Sequence, residues 1–212
     1  GEPGRRNTAR ARDVAAAFGS AGFETVESPF IEKDFWVKLL GNVSFNPVSA
    51  LTLGTADRLM GDPFIKDYMV AIMRECLTIG RAVGVDADID PEARLDMARK
   101  LGTFKTSMLQ DMEAGKKLEI DGLLTGTLEI ARKAGVPAPF TESLMGLIRL
   151  HQGRPADALP YIERALKTAA PADLNASLFD RAMFALGLDL NAKAPAASAP
   201  AEVTALAERR WA

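Results

Sequence analysis

The sequence predicts a mainly α-helical protein, a helical bundle domain preceded by a short α/β segment. From residue 31 onward, apolar residues recur at helical spacing, and short turns separate the segments that carry them. The first thirty residues instead predict one helix and one short strand, and a lone strand has no neighbour with which to pair. We therefore expect residues 1–30 to be the end of an α/β domain, in a chain that is the later part of a longer protein.

The composition is typical of a globular protein. The 212 residues are 48% hydrophobic and 25% charged, with a formal net charge of -2, which gives no reason to expect nucleic acid or an anionic membrane as partner. No apolar run approaches the ~20 residues of a membrane-spanning helix. The single cysteine, Cys76, excludes an internal disulfide framework and is most simply a buried small hydrophobic residue. These features favour a cytoplasmic location.

The N-terminal elements follow from local signals. Residues 7–22 predict a helix that Asn7 or Thr8 caps and that Gly19 and Gly22 end. The stretch FETVESP, residues 23–29, predicts a short strand that ends at the proline. A second helix then carries the segment FWVKLLGNVSFNP, residues 35–47.

That second helix has a start signal at Asp34, which we expect to cap it, and a proline near its far end. Pro47 lacks a backbone donor and clashes with the preceding turn, so we expect the helix to end or kink there.

Six further helices are predicted before residue 154. Asp90 as N-cap, with Pro91 at the first helical position, is a strong start signal. Gly115 and Gly135 are placed to end two helices, and Thr141 to cap the last one. The helical segments are residues 55–63, 63–85, 88–104, 105–115, 118–136 and 139–153.

The residues from 153 to 212 form a separate extension to which we assign no function. Residues 154–171 and 172–188 can each form a helix, residues 191–202 have the Ala/Pro-rich composition of a linker, and residues 201–212 can form a short terminal helix.

Several common chemistries are absent from the sequence. The single histidine, His151, cannot make a zinc site or a Cys–His nucleophile pair with one distant cysteine, so we expect no metal. We expect this histidine to be a charge at a helix C-terminus or a surface residue with satisfied hydrogen bonds. The chain contains no G-x-S-x-G, no phosphate-binding G-x-x-x-x-G-K and no G-x-G-x-x-G dinucleotide fingerprint.

One helix carries a polar stripe on an otherwise apolar segment. Lys38, Asn42 and Asn46 fall at i, i+4 and i+8, so they line one side of a helix. Asparagine is a poor helix former, and a buried amide without partners costs about 1–3 kcal/mol. One interpretation is structural: the stem of Lys38 packs on apolar neighbours while its ammonium reaches water. The other is a polar floor in a ligand-binding cleft.

Two later residues are candidates for the same cleft. Ser107 begins one predicted helix, and Glu119 lies in the first turn after the break at Gly115, which lets both side chains point in one direction. A carboxylate near Lys38 would keep that lysine protonated and oriented. Glu119 also has a plain structural interpretation as a charge that caps a helix.

Two long, ordered motifs carry a family resemblance. DFWVKLLGNVSFNPVSALT, followed by FKTSMLQDMEAGKKLEIDGLLTGTLEIARKAGVPAPFTESL, resembles the C-terminal domain of ketopantoate reductase (2-dehydropantoate 2-reductase), over residues 1 to 151. The resemblance implies that residues 31–152 are a helical substrate-binding and catalytic domain of the 6-phosphogluconate dehydrogenase C-terminal type. It also implies that residues 1–30 are the end of a Rossmann-type NADP-binding domain whose main part is missing.

The resemblance implies an activity and residue roles. The complete enzyme reduces ketopantoate to pantoate with NADPH, on the way to pantothenate and coenzyme A, and binds NADPH mainly through the missing domain. Lys38 is then the general acid, and Glu119 positions the substrate hydroxyl or Lys38. Asn42, Asn46 and Ser107 bind substrate. The fragment alone is expected to be inactive, and its partners are a small 2-oxo acid and, as one option, a second copy of the chain.

Four points stay open at the level of sequence. Ala56 stands where the family sometimes uses a polar substrate contact. A related reductase for another 2-oxo acid would carry the same motifs, and the choice between NADPH and NADH depends on the missing domain. A function of a different class, a non-catalytic helical module for dimerisation or interaction, is the alternative.

Overall fold

The computed structural model describes residues 1–2, 4 and 6–169 of the chain. These residues are mainly helical and include no strand, which confirms the predicted fold class. The predictions for residues 172–188, 191–202 and 201–212 lie outside the described residues. The helices are α1 (Ala9–Ser20), α2 (Ile31–Thr52), α3 (Ala56–Gly61), α4 (Pro63–Ala82), α5 (Pro91–Arg99), α6 (Ser107–Glu113), α7 (Gly126–Ala134), α8 (Pro139–His151) and α9 (Pro155–Thr168), with a π-helical segment at Asp121–Thr125.

The N-terminal segment differs from its prediction in one respect. Thr8 caps α1 by accepting a hydrogen bond from the Ala11 amide at 3.3 Å, as one of the two predicted caps. The predicted strand at residues 23–29 is wrong, because this stretch is irregular in the structure. Among the described residues it has no neighbouring strand to satisfy its backbone groups, and the one bridge there is an isolated pairing of Glu2 with Arg6.

Helix α2 is longer at both ends than the sequence predicts. It begins at Ile31 with Phe30 as N-cap, so the prediction that Asp34 caps it is wrong. The carboxylate of Asp34 instead accepts a hydrogen bond from the Ser28 hydroxyl. Pro47 does not end the helix, which continues to Thr52, because the proline and the four residues after it are buried and held by packing.

Helix α2 lies at the centre of the bundle and packs against α4, α6, α8 and the π-helical segment. The indole Nε1 of Trp36 donates a hydrogen bond to the Cys76 carbonyl at 2.9 Å, which ties α2 to α4. A Cβ at Gly80 would lie 2.6 Å from that Nε1, so only glycine allows this approach. Cys76 is buried as predicted, and burial raises the pKa of its thiol to about 12.

The later helix signals are largely confirmed. Asp90 caps α5 by accepting from the Glu92 amide at 3.0 Å, and Gly115 and Gly135 end their helices with positive φ of 65° and 68°. The predicted helix over residues 118–136 is divided into the π-helical segment and α7. The prediction that Thr141 is the N-cap of α8 is wrong, since α8 begins two residues earlier, at Pro139.

Helix α9 shows that the extension after residue 153 begins with a helix, as predicted. It packs closely on α8, where a Cβ at Gly146 would lie 2.7 Å from Cγ1 of Ile162. Within the described part of the chain, no helix combines the length and hydropathy that a bilayer crossing requires.

Candidate functional site

The predicted polar stripe lies along one face of α2. Asn42 and Asn46 are half-buried, and Nδ2 of Asn46 donates a hydrogen bond to Oδ1 of Asn42 at 3.2 Å. In this assignment the amide nitrogen of Asn42 and the carbonyl oxygen of Asn46 keep hydrogen-bonding capacity for a ligand. The pair therefore holds two amides in a fixed orientation on the helix.

Lys38 continues the stripe one turn earlier and is exposed. Its neighbours Trp36 and Leu39 are both buried and face the core, so α2 presents an apolar side and this polar side at once. Among the described residues, the Lys38 ammonium has no hydrogen-bond or ion-pair partner. It is a cation available to an anionic ligand or to water.

The structure packs the segments that carry Ser107 and Glu119 against α2, but neither side chain forms a hydrogen bond or an ion pair with Lys38. Ser107 is the first residue of α6 and is exposed, while Thr106 caps that helix by accepting from the Leu109 amide at 3.1 Å. Glu119 is exposed in the loop just before the π-helical segment. Both α6 and the π-helical segment pack on α2. Lys38 and Glu119 form no ion pair, and their sharing of one cleft stays a prediction.

A small apolar pocket marks where these segments meet. It has room for about one water molecule, roughly 20 Å³, which is too small for a 2-oxo acid. Its wall includes Pro47, Met108, Leu118 and Ile120. These are the sequence neighbours of Asn46, Ser107 and Glu119, so the pocket is the apolar floor beneath the segments that carry three candidates. None of the five predicted site residues lines it.

His151 lies at the edge of this pocket as the last residue of α8. It is half-buried, and burial lowers the pKa of its imidazole. Ala56, at the position of the uncertain substrate contact, is fully buried and has no polar side-chain atom to offer.

The sequence analysis missed a partly buried carboxylate on α4. Glu75 accepts hydrogen bonds from the amides of Phe140 and Thr141, at 2.8 and 2.9 Å, and from the Thr141 hydroxyl at 2.7 Å. It therefore caps α8 from another helix. Burial raises the pKa of the Glu75 carboxyl to about 7, against the opposing effect of these hydrogen bonds. The available signal was a charged residue beside Cys76 in the apolar stripe of α4.

Two further polar contacts nearby are structural. The hydroxyl of Tyr68 lies 2.7 Å from that of Ser143, and Arg164 of α9 binds the buried Glu142 carboxylate through two hydrogen bonds at 2.9 and 3.0 Å. Both join α8 to its neighbours. Across the residues that the structure covers, no group of histidine, cysteine, aspartate and glutamate is arranged to hold a metal ion. The same residues form no parallel sheet, the usual platform for a dinucleotide.

Comparison with known proteins identifies relatives of this helical unit. Residues 31–152 match the family described as ketopantoate reductase PanE/ApbA C terminal. The 2-dehydropantoate 2-reductase of Mesorhizobium japonicum is 36% identical over 149 residues, which are 70% of this chain and 46% of the relative. That of Halobacterium salinarum is 29% identical over 147 residues, or 69% and 48% of the two chains. The chain spans about half the length of these curated relatives.

Solved structures give the same picture. A protein from Ralstonia solanacearum MolK2, described as a candidate ketopantoate reductase, is 43% identical, with a TM-score of 0.64 over 68% of this chain and 44% of that one. The 2-dehydropantoate 2-reductase of Geobacter metallireducens GS-15 is 28% identical, with a TM-score of 0.66 over 70% and 50%. A D-mandelate dehydrogenase solved with NADH, 17% identical with a TM-score of 0.62 over 74% and 65%, shares the fold.

Proposed function

This chain belongs to the ketopantoate reductase family through residues 31–152, and from that membership we propose that it is the substrate-binding half of a reductase that converts 2-dehydropantoate to pantoate. The match to about half of each 2-dehydropantoate 2-reductase supports the view that a nucleotide-binding domain completes the enzyme. We propose NADPH as the cofactor, held mainly by that domain, with residues 1–30 as its end and the cytoplasm as the location.

The observation that carries the proposal is the exposed, unpaired Lys38 beside the Asn42–Asn46 amide pair on α2. The cofactor supplies the hydride that reduces the 2-oxo carbon. Negative charge then develops on the ketone oxygen, where the Lys38 ammonium stabilises it and donates a proton. Because Lys38 is exposed, water can reprotonate it after each turnover. The amides bind substrate oxygens, with Ser107 at the carboxylate end and Glu119 at the hydroxyl.

The test is the substitution Lys38→Ala in an assembly that contains this chain and the nucleotide-binding domain. We expect kcat to fall by ~10²–10⁴ while NADPH affinity is unchanged, because the ammonium acts mainly on charge present in the transition state. Lys33→Ala is the matched control, since it removes the same charge from the same helix, near its start. A near-normal kcat for Lys38→Ala would return the stripe to a structural explanation.

A second candidate function is a non-catalytic module for dimerisation or interaction. It is favoured by the aromatic side chains of Phe18 and Phe23, which pack edge to face on each other yet are more than half exposed. The two functions differ in a simple assay. This chain alone should not oxidise NADPH with ketopantoate, whereas adding the nucleotide-binding domain should restore turnover only if the chain is half of an enzyme.

A further inference from the structure

Arg94 of α5 is a half-buried arginine for which the described residues supply no counterion. Its guanidinium lies against α2 at Gly41, where a Cβ would be 3.7 Å from Nη2. Within the part of the chain that the structure describes, this guanidinium has no hydrogen-bond or ion-pair partner. Several other arginines do bind a carboxylate: Arg74, Arg81, Arg149, Arg154 and Arg164.

Withdrawing a charge from water is costly unless an opposite charge or hydrogen bonds compensate. An arginine that is partly shielded from water still has five N–H donors that need acceptors. Such a residue is therefore suited to bind an anion that arrives from solution. Its planar fork matches a carboxylate through two parallel hydrogen bonds.

The position of Arg94 connects it with the stripe. Gly41 is three residues after Lys38, so the two positions are neighbours on the helix surface, with Cβ positions about 5–6 Å apart. At about 100° per residue, Gly41 and Asn42 fall on opposite flanks of Lys38. Lys38 thus lies between the Arg94 guanidinium and the asparagine amides. Neither cation forms an ion pair with a described carboxylate, although the exposed Asp34 lies one turn before Lys38, and an anion bound between the two cations would lower their mutual repulsion.

We propose that Arg94 is a further substrate-binding residue, which acts with Ser107 to hold the carboxylate of a 2-oxo acid whose carbonyl oxygen faces Lys38. The proposal rests on the proposed function, since it assigns the same cleft a second cation. In a 2-oxo acid the carboxylate and the carbonyl are on adjacent carbons, so two cations at neighbouring positions on one helix suit the two groups. The guanidinium reaches this flank of α2, since its Nη2 lies within ordinary contact range of the Gly41 position.

The test is a binding titration on the full 212-residue chain, followed by the amide NMR signals of α2. The probes are ketopantoate and its methyl ester, which lacks the negative charge. The variants are Arg94→Gln, Arg94→Lys and the matched control Arg99→Gln, which removes one charge from an exposed position on the same helix.

We expect Arg94→Gln to weaken ketopantoate binding roughly 10- to 100-fold, the range for lost hydrogen bonds to a charged group. Arg94→Lys should recover part of the affinity, and Arg99→Gln should bind as the wild type does. The ester should bind weakly and equally to the wild type and to Arg94→Gln, because it has no carboxylate for the guanidinium to hold.

Two results would overturn the inference. Wild-type affinity of Arg94→Gln for ketopantoate would show that Arg94 does not hold the carboxylate. Absence of any α2 shift in the wild-type chain would show that its two cations do not form an anion site. Neither result depends on kcat. The Arg94 inference can therefore fail while the Lys38→Ala kinetics support the proposed function. Conversely, Lys38→Ala can leave kcat unchanged while ketopantoate still binds through Arg94.

Discussion

Glu75 allows a prediction in which the charge state of one carboxyl controls the stability of the bundle. Its folded pKa, about 7, lies above the ordinary value of 4.5 because burial disfavours the charged form. Between those two pH values the folded state binds more protons than the unfolded state. The free energy of unfolding therefore falls as pH rises through this window. Below the window Glu75 is protonated in both states and adds no pH dependence. Above it the whole stabilisation that came from keeping Glu75 protonated is lost.

The magnitude follows from the shift. A displacement from 4.5 to about 7 corresponds to about 3 kcal/mol, at 1.36 kcal/mol for each unit, and this is an upper value because the side chain is partly exposed. Glu75→Gln cannot ionise, and its single oxygen can accept from the Phe140 amide or from the two Thr141 donors but not from both. We expect this variant to be less stable than wild type at pH 4.5. As pH rises from 4.5 to 8, the variant minus wild-type difference in the free energy of unfolding should increase by up to about 3 kcal/mol.

The assay is denaturant unfolding followed by circular dichroism at several pH values between 4.5 and 8, with the variant minus wild-type difference as the result. Taking the difference cancels the other titrating groups. Glu163→Gln, which neutralises an exposed carboxylate on α9, supplies the control for a general change in net charge. A variant minus wild-type difference that stays constant with pH would refute the reasoning. It would mean that the three hydrogen bonds from α8 offset the desolvation of the carboxylate.

The remaining predictions concern packing and accessibility. Gly80→Ala should destabilise the protein by roughly 1–3 kcal/mol in thermal or denaturant unfolding, since its Cβ would lie 2.6 Å from the Trp36 indole and 2.7 Å from the Val85 carbonyl. Gly41→Ala should instead stabilise α2 by about 0.5–1 kcal/mol, because its nearest neighbour is in ordinary contact at 3.7 Å. The Cys76 thiol should react with Ellman's reagent only as fast as the protein unfolds, and rapid labelling of the folded chain would contradict its burial.

The sequence predicts those features of the fold that local chemistry decides. The Asp90–Pro91 start and the glycine stops at 115 and 135 are fixed within a few residues of chain, and all of them are confirmed. Of the two outcomes predicted at Pro47, a helix end is wrong, because the cost of proline is local, whereas the burial that sustains α2 to Thr52 comes from other helices; a kink there stays a prediction. The strand at residues 23–29 failed for the converse reason, since a strand requires a partner that local sequence does not specify.

The candidate site divides in the same way. The spacing of Lys38, Asn42 and Asn46 is sufficient to place them on one helix face, because that is a property of a single helix. Glu75 and Arg94 act on elements that are distant in sequence, so no periodicity could connect them with α8 or α2. An amphipathic helix carries several charged residues, and the packing of the bundle decides which of them reaches another helix. The sequence of one helix alone does not contain that information.

The asparagine pair and Lys38 do not carry equal weight in choosing between function and structure. The hydrogen bond between Asn46 and Asn42 is an i, i+4 contact of a kind that stabilises a helix by about 0.2–0.5 kcal/mol, so the pair has a structural explanation of its own. Lys38 makes no such contact, since no described carboxylate binds it and its side chain is exposed to water. A purely structural stripe would tolerate a neutral side chain at this position, whereas a reductase would not. Lys38 is therefore the residue on which the proposed function depends.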